Sequence, residues 1–315
     1  MNNRRSFIVG IKSTKLSLKE KLFLRKYKPW GVILFTRNIK DIKQTLRLTN
    51  SIRKIFNDKK YPILIDQEGG RVNRLKNIIS FDNLTSEFFG KKFTKNYKEF
   101  KFFYKLFIDK TSYLLKLIGA NINTAPVLDL RIKGASKIIG DRSFSKDPKI
   151  VSKIGDFCIQ YFHENGIGTV IKHIPGHGRS KVDSHYFTPI ISKKIKYLTK
   201  NDFIAFKNKR SFFAMTAHIV FTALDRKECI THSIKGIKYI RNKIGFKNLI
   251  ITDDISMKAL KYSFNENVRK AYLSGCNLVL HCNANMREMH NLAKIAPRVN
   301  HFVIKKTSEF YKLLS

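Results

Sequence analysis

The chain has 315 residues with 43% hydrophobic content, enough to bury a large core, and no apolar run approaches the length needed to span a bilayer. Its 62 Lys and Arg residues against 23 Asp and Glu give a formal net charge of +39, which at first suggests a nucleic-acid binder. The lysines are spread along the whole chain instead of forming one basic face, so we expect weak, salt-dependent binding of polyanions and no specific nucleic-acid partner.

Short apolar runs bounded by turn residues predict eight strands. Most of these runs are continuously apolar, as expected for parallel strands that are buried on both faces. The segments between them are long enough for helices. In chain order the runs are Phe7–Gly10, Gly31–Phe35, Tyr61–Asp66, Ala120–Pro126, Gly168–His173, Phe212–Ala217, Leu249–Asp253 and Asn277–His281.

Two of the intervening segments carry clear helix signals. Ser17-Leu18-Lys19-Glu20 is a capping box, which predicts a helix that runs towards Arg25. Val151–Asn165 has apolar residues at helical spacing and stops at Gly166, a suitable C-cap. Repeated alternation of strand and helix predicts an α/β fold, a (β/α)8 TIM-like barrel.

An open, doubly wound sheet is the alternative fold. It is disfavoured because neither GxGxxG nor GxxxxGK[ST] opens a helix after the first strand. No Pro/Ser-rich linker or low-complexity tract divides the chain, so we expect one catalytic domain over 1–315 and no second domain.

The N-terminus and the cysteines indicate a cytoplasmic protein. The apolar stretch near Phe7 is too short for a signal-peptide core and is soon followed by Lys12 and Lys15, which predicts no export signal. The four cysteines show neither CxxC pairing nor framework spacing, so we expect reduced thiols. They are Cys158, Cys229, Cys276 and Cys282.

Polar residues collect where the predicted strands end. In a barrel, functional residues gather at the carboxyl ends of strands and in the loops that follow, so carboxylates, imidazoles and cations on one rim indicate a site. These residues are Asp66, Asp129, Arg142, Lys172, His173, His218, Asp253 and Asp254.

The segment from Lys172 to Gly178, followed by Asp183-Ser184-His185, is the most informative part of this rim. An Asp two residues from a His can orient the imidazole, raise its basicity and fix its tautomer, as acid–base chemistry requires. The Gly and Pro residues nearby predict a shaped loop that could carry His185 in and out of the site.

Five blocks, in this order and spacing, resemble the signatures of bacterial glycoside hydrolase family 3 β-N-acetylhexosaminidases. The resemblance covers roughly residues 30 to 260 and implies a single barrel without a second domain. The blocks are Asp66-Gln67-Glu68-Gly69-Gly70-Arg71-Val72-Asn73-Arg74, Gly140-Asp141-Arg142-Ser143-Phe144, Lys172–Gly178 with Asp183-Ser184-His185, Met215-Thr216-Ala217-His218, and Thr252-Asp253-Asp254-Ile255-Ser256-Met257.

The resemblance implies a retaining exo-β-N-acetylglucosaminidase that acts through a covalent glycosyl-aspartate. It implies Asp253 as nucleophile, because the family's nucleophile directly follows Thr or Ser, and His185 as acid/base with Asp183 as its partner. Asp254 is expected to cap the following helix. The implied sugar-binding residues are Asp66, Arg74, Arg142, Lys172 and His173.

The resemblance also implies a cellular role and a class of substrates. Its members are cytoplasmic enzymes of peptidoglycan recycling, so the implied substrates are amino-sugar fragments such as GlcNAc-anhydroMurNAc and its peptides. Cell-wall turnover, cell shape and cell division are the processes concerned. We expect no cofactor, no metal, no membrane partner and a monomer. The natural fragment and the acceptor, water or phosphate, stay open.

Two other functions compete with this interpretation. A metal-dependent hydrolase on the same barrel would use His173, His177, Asp183 and His185 as ligands, although a Gly/Pro loop is loose scaffolding for them. His177 could equally be a structural loop residue, and His218 a partner behind the site. A non-enzymatic nucleic-acid binder would rest on the +39 charge alone.

Overall fold

A computed structural model describes residue 1, residues 3–184 and residues 186–314. Within these residues, eight parallel strands close into a barrel in the order β1-β10-β9-β7-β5-β4-β3-β2, while β6 pairs with β8 outside it. The predicted (β/α)8 barrel is confirmed, and each of the eight predicted runs overlaps one barrel strand. The strands are β1 Arg5–Gly10, β2 Pro29–Leu34, β3 Ile63–Ile65, β4 Ile122–Asn123, β5 Gly168–Ile174, β6 Ile190–Ile191, β7 Phe213–Thr216, β8 Val220–Phe221, β9 Leu249–Asp254 and β10 Leu278–His281.

Helices follow the barrel strands and surround them. The α-helices of the described part are α1 Leu18–Tyr27, α2 Ile42–Phe56, α3 Ser86–Lys95, α4 Tyr97–Leu117, α5 Pro148–Glu164, α6 Ile195–Lys200, α7 Ile234–Tyr239, α8 Phe264–Ser274, α9 Met286–Ile295 and α10 His301–Leu313. None of the helices in these residues is both long and apolar enough to cross a membrane.

Local signals decide where elements begin and end. The predicted capping box is present at α1, where Ser17 and Glu20 each accept the other's backbone N–H. The helix predicted from Val151 begins earlier, at Pro148, because Asp147 accepts from the backbone N–H of Lys149 and caps it. Asn165, one residue before the predicted Gly166, is its C-cap. β4 is shorter than the predicted run, although the backbone carbonyls of Ala125 and Pro126 still accept from the N–H groups of Val170 and Lys172.

Apolar side chains fill the barrel, and α10 closes its amino-terminal end. The indole N–H of Trp30 donates to Thr307 Oγ1 at 2.9 Å, and the ring of Phe310 lies 5.4 Å from that of Phe213. Gly168 is required beside this helix, since a Cβ there would lie 2.7 Å from the Phe310 ring. With that end blocked, the carboxyl end is the open face of the barrel.

Candidate active site

A cleft of about 540 Å³ lies at the carboxyl ends of the barrel strands. It brings together seven of the eight residues predicted as the site, and the eighth, His185, lies outside the described residues. The seven that line the cleft are Asp66, Arg74, Arg142, Lys172, His173, Asp183 and Asp253.

Asp66 directly follows β3 and is the centre of one set of polar contacts. Arg74 Nη2 donates to its Oδ2 at 2.6 Å, Thr124 Oγ1 donates to its Oδ1 at 2.7 Å, and Lys172 Nζ also contacts Oδ1. Burial alone would raise the pKa of the Asp66 carboxyl, but Lys172, Arg74 and Arg142 together hold that pKa well below its usual value. The Asp66 carboxyl is therefore ionised at neutral pH and able to accept hydrogen bonds from a ligand's hydroxyl groups.

Glu68 lies beside the site, although the sequence alone predicted no role for it. Its side chain is only 3% exposed and accepts two hydrogen bonds from Arg142, each of 2.8 Å, in a bidentate pair. Lys172 Nζ lies 2.5 Å from Glu68 Oε1, so this lysine bridges Glu68 and Asp66. The two cations outweigh burial and lower the pKa of Glu68. Glu68 thus holds two of the predicted sugar-binding cations in place. Its position two residues after Asp66 was a signal for this role, since alternate residues lie on the same side of an extended chain.

His173 is oriented by Asp129, another residue without an assigned role. Asp129 is fully buried and accepts from His173 Nδ1 at 2.7 Å and from the backbone N–H groups of His173 and His177. Burial raises the pKa of Asp129, but His173, His177 and these hydrogen bonds outweigh burial and lower it. An anion at Nδ1 leaves the other ring nitrogen, Nε2, directed at the cleft, where it lies 3.9 Å from Asp253 Oδ2.

Asp253 lies near the tip of β9, and its side chain is 20% exposed. The backbone N–H of Asp254 donates to its Oδ1 at 2.8 Å, whereas Oδ2 is the oxygen nearer His173. Burial would raise the pKa of Asp253, but His173 and His218 and the hydrogen bond from Asp254 together lower it. The result is an ionised carboxylate with one oxygen fixed and the other beside the cleft, an arrangement suited to nucleophilic attack.

The neighbouring Asp254 has a structural role. Its Oδ1 accepts from the backbone N–H groups of Ser256 and Cys282, and Ser256 Oγ donates to its Oδ2. Asp254 therefore closes the turn after β9, and no α-helix begins there; the next one in the described chain is α8, from Phe264. The predicted helix cap is wrong in detail, because the carboxylate caps a turn instead.

His218 lies behind Asp253 in a buried position. Its ring nitrogens contact Thr231 Oγ1 at 2.7 Å and the Asp254 carbonyl at 3.1 Å. Burial lowers the pKa of His218, so the ring stays neutral at physiological pH. These contacts fit the expectation of a partner behind the site.

The loop after β5 brings Asp183 and Ser184 to the cleft wall. Ser184 Oγ lies 2.8 Å from His177 Nε2, so the two ends of this loop are connected by a hydrogen bond. Burial and the nearby His173 lower the pKa of His177 to about 4, which keeps its ring neutral. At Gly178 a Cβ would lie 2.0 Å from the Leu130 carbonyl oxygen, so glycine is needed for this close approach. His177 is thus a structural part of the loop, as one of its two interpretations held.

His173 and His177 each have one ring nitrogen with a protein partner, whereas His177 Nδ1 has none in the described part of the chain. His173 Nδ1 contacts Asp129, and His177 Nε2 contacts Ser184. Within residues 1, 3–184 and 186–314, no group of three or more His, Cys, Asp or Glu side chains is placed to hold a metal ion. The four-ligand set of the competing hydrolase includes His185, so the described residues do not contain it in full.

Comparisons with known proteins identify one family. The family described as glycosyl hydrolase family 3 N terminal domain matches residues 8–303. A β-hexosaminidase of Actinobacillus pleuropneumoniae serotype 5b is 33% identical over 293 residues, covering 88% of this chain and 80% of the relative.

Solved structures give the same result for the fold. NagZ from Neisseria gonorrhoeae, in complex with N-trifluoroacetyl-D-glucosamine, superposes with a TM-score of 0.86 at 25% identity, covering 98% of this chain and 90% of that one. A family 3 β-N-acetylglucosaminidase from Paenibacillus sp. str. FPU-7 has a TM-score of 0.84 at 24% identity, with 98% of this chain covered. The present chain spans only 60% of the Paenibacillus enzyme.

Proposed function

Because the chain belongs to glycosyl hydrolase family 3 and is a glycosidase related to β-hexosaminidases, we propose that it is a retaining exo-β-N-acetylglucosaminidase that removes terminal non-reducing GlcNAc from peptidoglycan fragments. The observation that carries this proposal is Asp253, an ionised carboxylate at a strand tip with Oδ2 beside the cleft. A carboxylate so placed suits attack on an anomeric carbon.

Asp253 acts as the nucleophile in this proposal. Its carboxylate forms a bond to the anomeric carbon while the bond to the leaving oxygen breaks, which gives a covalent glycosyl-aspartate. Water then attacks the same carbon and releases the sugar with its original configuration, restoring the carboxylate. The lowered pKa of Asp253 supports this role, because a nucleophile must be ionised at the working pH.

His185 acts as the acid/base, with Asp183 as its partner. As imidazolium it protonates the leaving oxygen, and as neutral imidazole it takes a proton from the attacking water. An imidazole titrates near neutrality, so it suits cytoplasmic pH better than an unperturbed carboxylic acid. The assignment is supported by Asp183 and Ser184, which precede it in the chain and line the cleft.

The sugar-binding residues divide by charge. Asp66 is a hydrogen-bond acceptor for ring hydroxyls at the non-reducing end, while Lys172 and His173 are donors. Arg74 and Arg142 either fix the carboxylates, as their contacts with Asp66 and Glu68 support, or face the N-acetyl carbonyl. Every one of these side chains lines the same cleft as Asp253, except Glu68, which lies behind it.

A pair of variants at adjacent carboxylates tests the nucleophile. Asp253→Ala should lower kcat on a chromogenic GlcNAc glycoside by about 10⁴-fold or more, as for nucleophiles of other hydrolases. Asp254→Ala is the matched control, since its carboxylate closes a turn, and it should lose thermal stability more than kcat. Trapping with a fluorinated GlcNAc analogue should then label Asp253. Activity of Asp253→Ala near wild type, or labelling of another side chain, would contradict the assignment.

Product analysis tests the substrate and the stereochemistry. Incubation with GlcNAc-anhydroMurNAc should release GlcNAc whose first anomer, followed by NMR, is β. A parallel reaction with a chitin-like disaccharide shows which fragment is preferred, and added phosphate shows whether it can replace water. Turnover unaffected by a chelator would exclude the metal-dependent alternative.

We further propose that the enzyme is a one-domain cytoplasmic monomer that serves cell-wall recycling, and hence cell shape and division.

A further inference from the structure

Helix α4 (Tyr97–Leu117) exposes apolar side chains on the face that points away from the barrel. Phe102, Leu106 and Tyr113 are 65%, 55% and 57% exposed. They lie four and seven residues apart, so they form one stripe along the helix. Helices packed on a globular core normally present polar residues there. We call these three residues the α4 stripe.

The opposite face of α4 accounts for its packing, so the stripe is not needed for folding. The buried side chains of the helix include Phe100, Tyr104, Phe107, Ile108 and Leu115. Phe100 and Tyr104 stack on each other with ring centroids 5.1 Å apart. The core side of α4 is therefore complete without the stripe.

Lysines border the α4 stripe. The stretch 91–105 contains six lysines and one acidic residue, Glu99. Lys98, Lys101, Lys105 and Lys110 are exposed on α4 itself. The two carboxylates of the helix are already paired, Glu99 with Lys92 at 2.6 Å and Asp109 with Lys105 at 3.0 Å.

We propose that the α4 stripe and its lysines are a docking surface for an anionic lipid bilayer. Aromatic and Leu side chains with lysines on either side are the composition of helices that lie in a membrane interface. The apolar side chains enter the headgroup region while the lysine stems extend along it and their ammonium groups contact lipid phosphates. The charge of this face selects an anionic surface over a second copy of the chain, because two identical basic faces repel each other. The proposal does not depend on the sugar chemistry of the cleft.

Vesicle binding tests the proposal with the full chain. Flotation with vesicles of phosphatidylglycerol and phosphatidylcholine should retain the protein at low salt, and binding should weaken as salt rises. Pure phosphatidylcholine vesicles should bind at least about tenfold more weakly. Equal binding to both kinds of vesicle, or none to either, would overturn the proposal.

Two multiple-substitution variants separate the contribution of the apolar side chains to vesicle binding from that of the lysines, and each has a control variant. Phe102→Ser with Leu106→Ser and Tyr113→Ser should reduce binding to anionic vesicles by about tenfold or more, whereas Leu273→Ser, at a side chain 75% exposed on α8, should not. Lys98→Ala with Lys101→Ala and Lys110→Ala should do the same, whereas Lys235→Ala with Lys238→Ala and Lys243→Ala removes equal charge elsewhere.

Turnover of a soluble glycoside, unchanged in all four variants, checks that they fold. If the controls lose as much binding as the α4 variants, general basicity is responsible and the proposal fails. A wild-type dimer that the α4 variant abolishes, with no vesicle binding, would identify a second copy as the occupant. Retention on RNA alone would identify nucleic acid.

Discussion

Replacing Glu68 by glutamine gives the sharpest test of how the cleft is organised. The carboxylate accepts two hydrogen bonds of 2.8 Å from Arg142 and lies 2.5 Å from Lys172 Nζ. The side-chain amide of the Glu68→Gln variant would keep one oxygen acceptor and direct an NH₂ group at a cation. Removing one partner of such a buried set costs about 3–5 kcal/mol, since the remaining charges lose their compensation. We expect this cost to be divided between folding and the geometry of Lys172 and Arg142.

Kinetic and stability measurements show how the cost of Glu68→Gln divides between folding and cleft geometry. If about 3 kcal/mol is lost in the transition-state complex, kcat/KM for a chromogenic GlcNAc glycoside falls about 10²-fold. Both kcat and KM should change, because Lys172 shares its ammonium between Glu68 and Asp66 and would shift towards Asp66. Steady-state kinetics should be recorded below the melting temperature of the variant, with the folded fraction established by circular dichroism.

Asp58→Asn is the matched control for Glu68→Gln. Asp58 also pairs with a largely buried arginine, Arg4, and accepts from Tyr311 at 2.8 Å, but at the closed end of the barrel. Asp58→Asn should lower the melting temperature, because it breaks a largely buried ion pair. It should leave kcat/KM within about twofold of wild type, because this ion pair lies at the end of the barrel opposite the cleft. If Glu68→Gln retains wild-type kcat/KM, or loses only stability as the control does, Glu68 does not position the two cations.

Contacts at the site and in the core give three further predictions. Asp129→Asn should lower kcat/KM by about 10²-fold, because the amide cannot hold His173 Nδ1–H as an anion does, and His173→Asn should add little on top of it. Gly168→Ala should cost about 1–3 kcal/mol of unfolding free energy by overpacking against Phe310, with kcat/KM unchanged in kinetics below the transition. The melting temperature should fall as the pH is lowered, because four carboxyl groups have lowered pKa values in the folded protein: Asp66, Glu68, Asp129 and Asp253. Their contribution to stability is complete above the unfolded-state pKa of about 4. It is lost as the pH falls through the lower pKa values of the folded state. A flat profile between about pH 5 and about pH 2.5 would contradict this.

The fold could be predicted because the barrel strands are almost wholly buried, so most of them show as continuous apolar runs. The ends of the strands could not, because they depend on neighbours distant in sequence. Tyr61–Asp66 was predicted as one strand, yet only Ile63–Ile65 pairs with β2 and β4 in the barrel. Tyr61 instead donates through its hydroxyl to the Pro29 carbonyl and stacks on Phe56.

The rim of the site was predictable for a similar reason. The carboxyl ends of parallel strands meet at one edge, so Asp66, Lys172 and Asp253 were expected to lie together before any contact was known. The ion pairs behind them were not predictable. Glu68 pairs with Arg142, 74 positions away, and Asp129 pairs with His173, 44 positions away. The position of Glu68 two residues after Asp66 places it on the same side of the chain, but local spacing identifies neither partner. A carboxylate in a loop has the same sequence signature whether it is solvated or buried.

Exposure separates the two carboxylates that share Lys172. The Asp66 side chain is 16% exposed, whereas that of Glu68 is 3% exposed. In the proposed function Asp66 is therefore the carboxylate that contacts the sugar. Lys172 and Arg74 are already bound to it, so the hydroxyl groups of a ligand enter a set of charges that compensate one another. Glu68 keeps Lys172 and Arg142 fixed from behind, which limits the reorganisation that binding would otherwise require. Since α10 and its contacts with Trp30 and Phe213 lie at the opposite end of the barrel, ligand binding and folding stability can be altered separately in this enzyme.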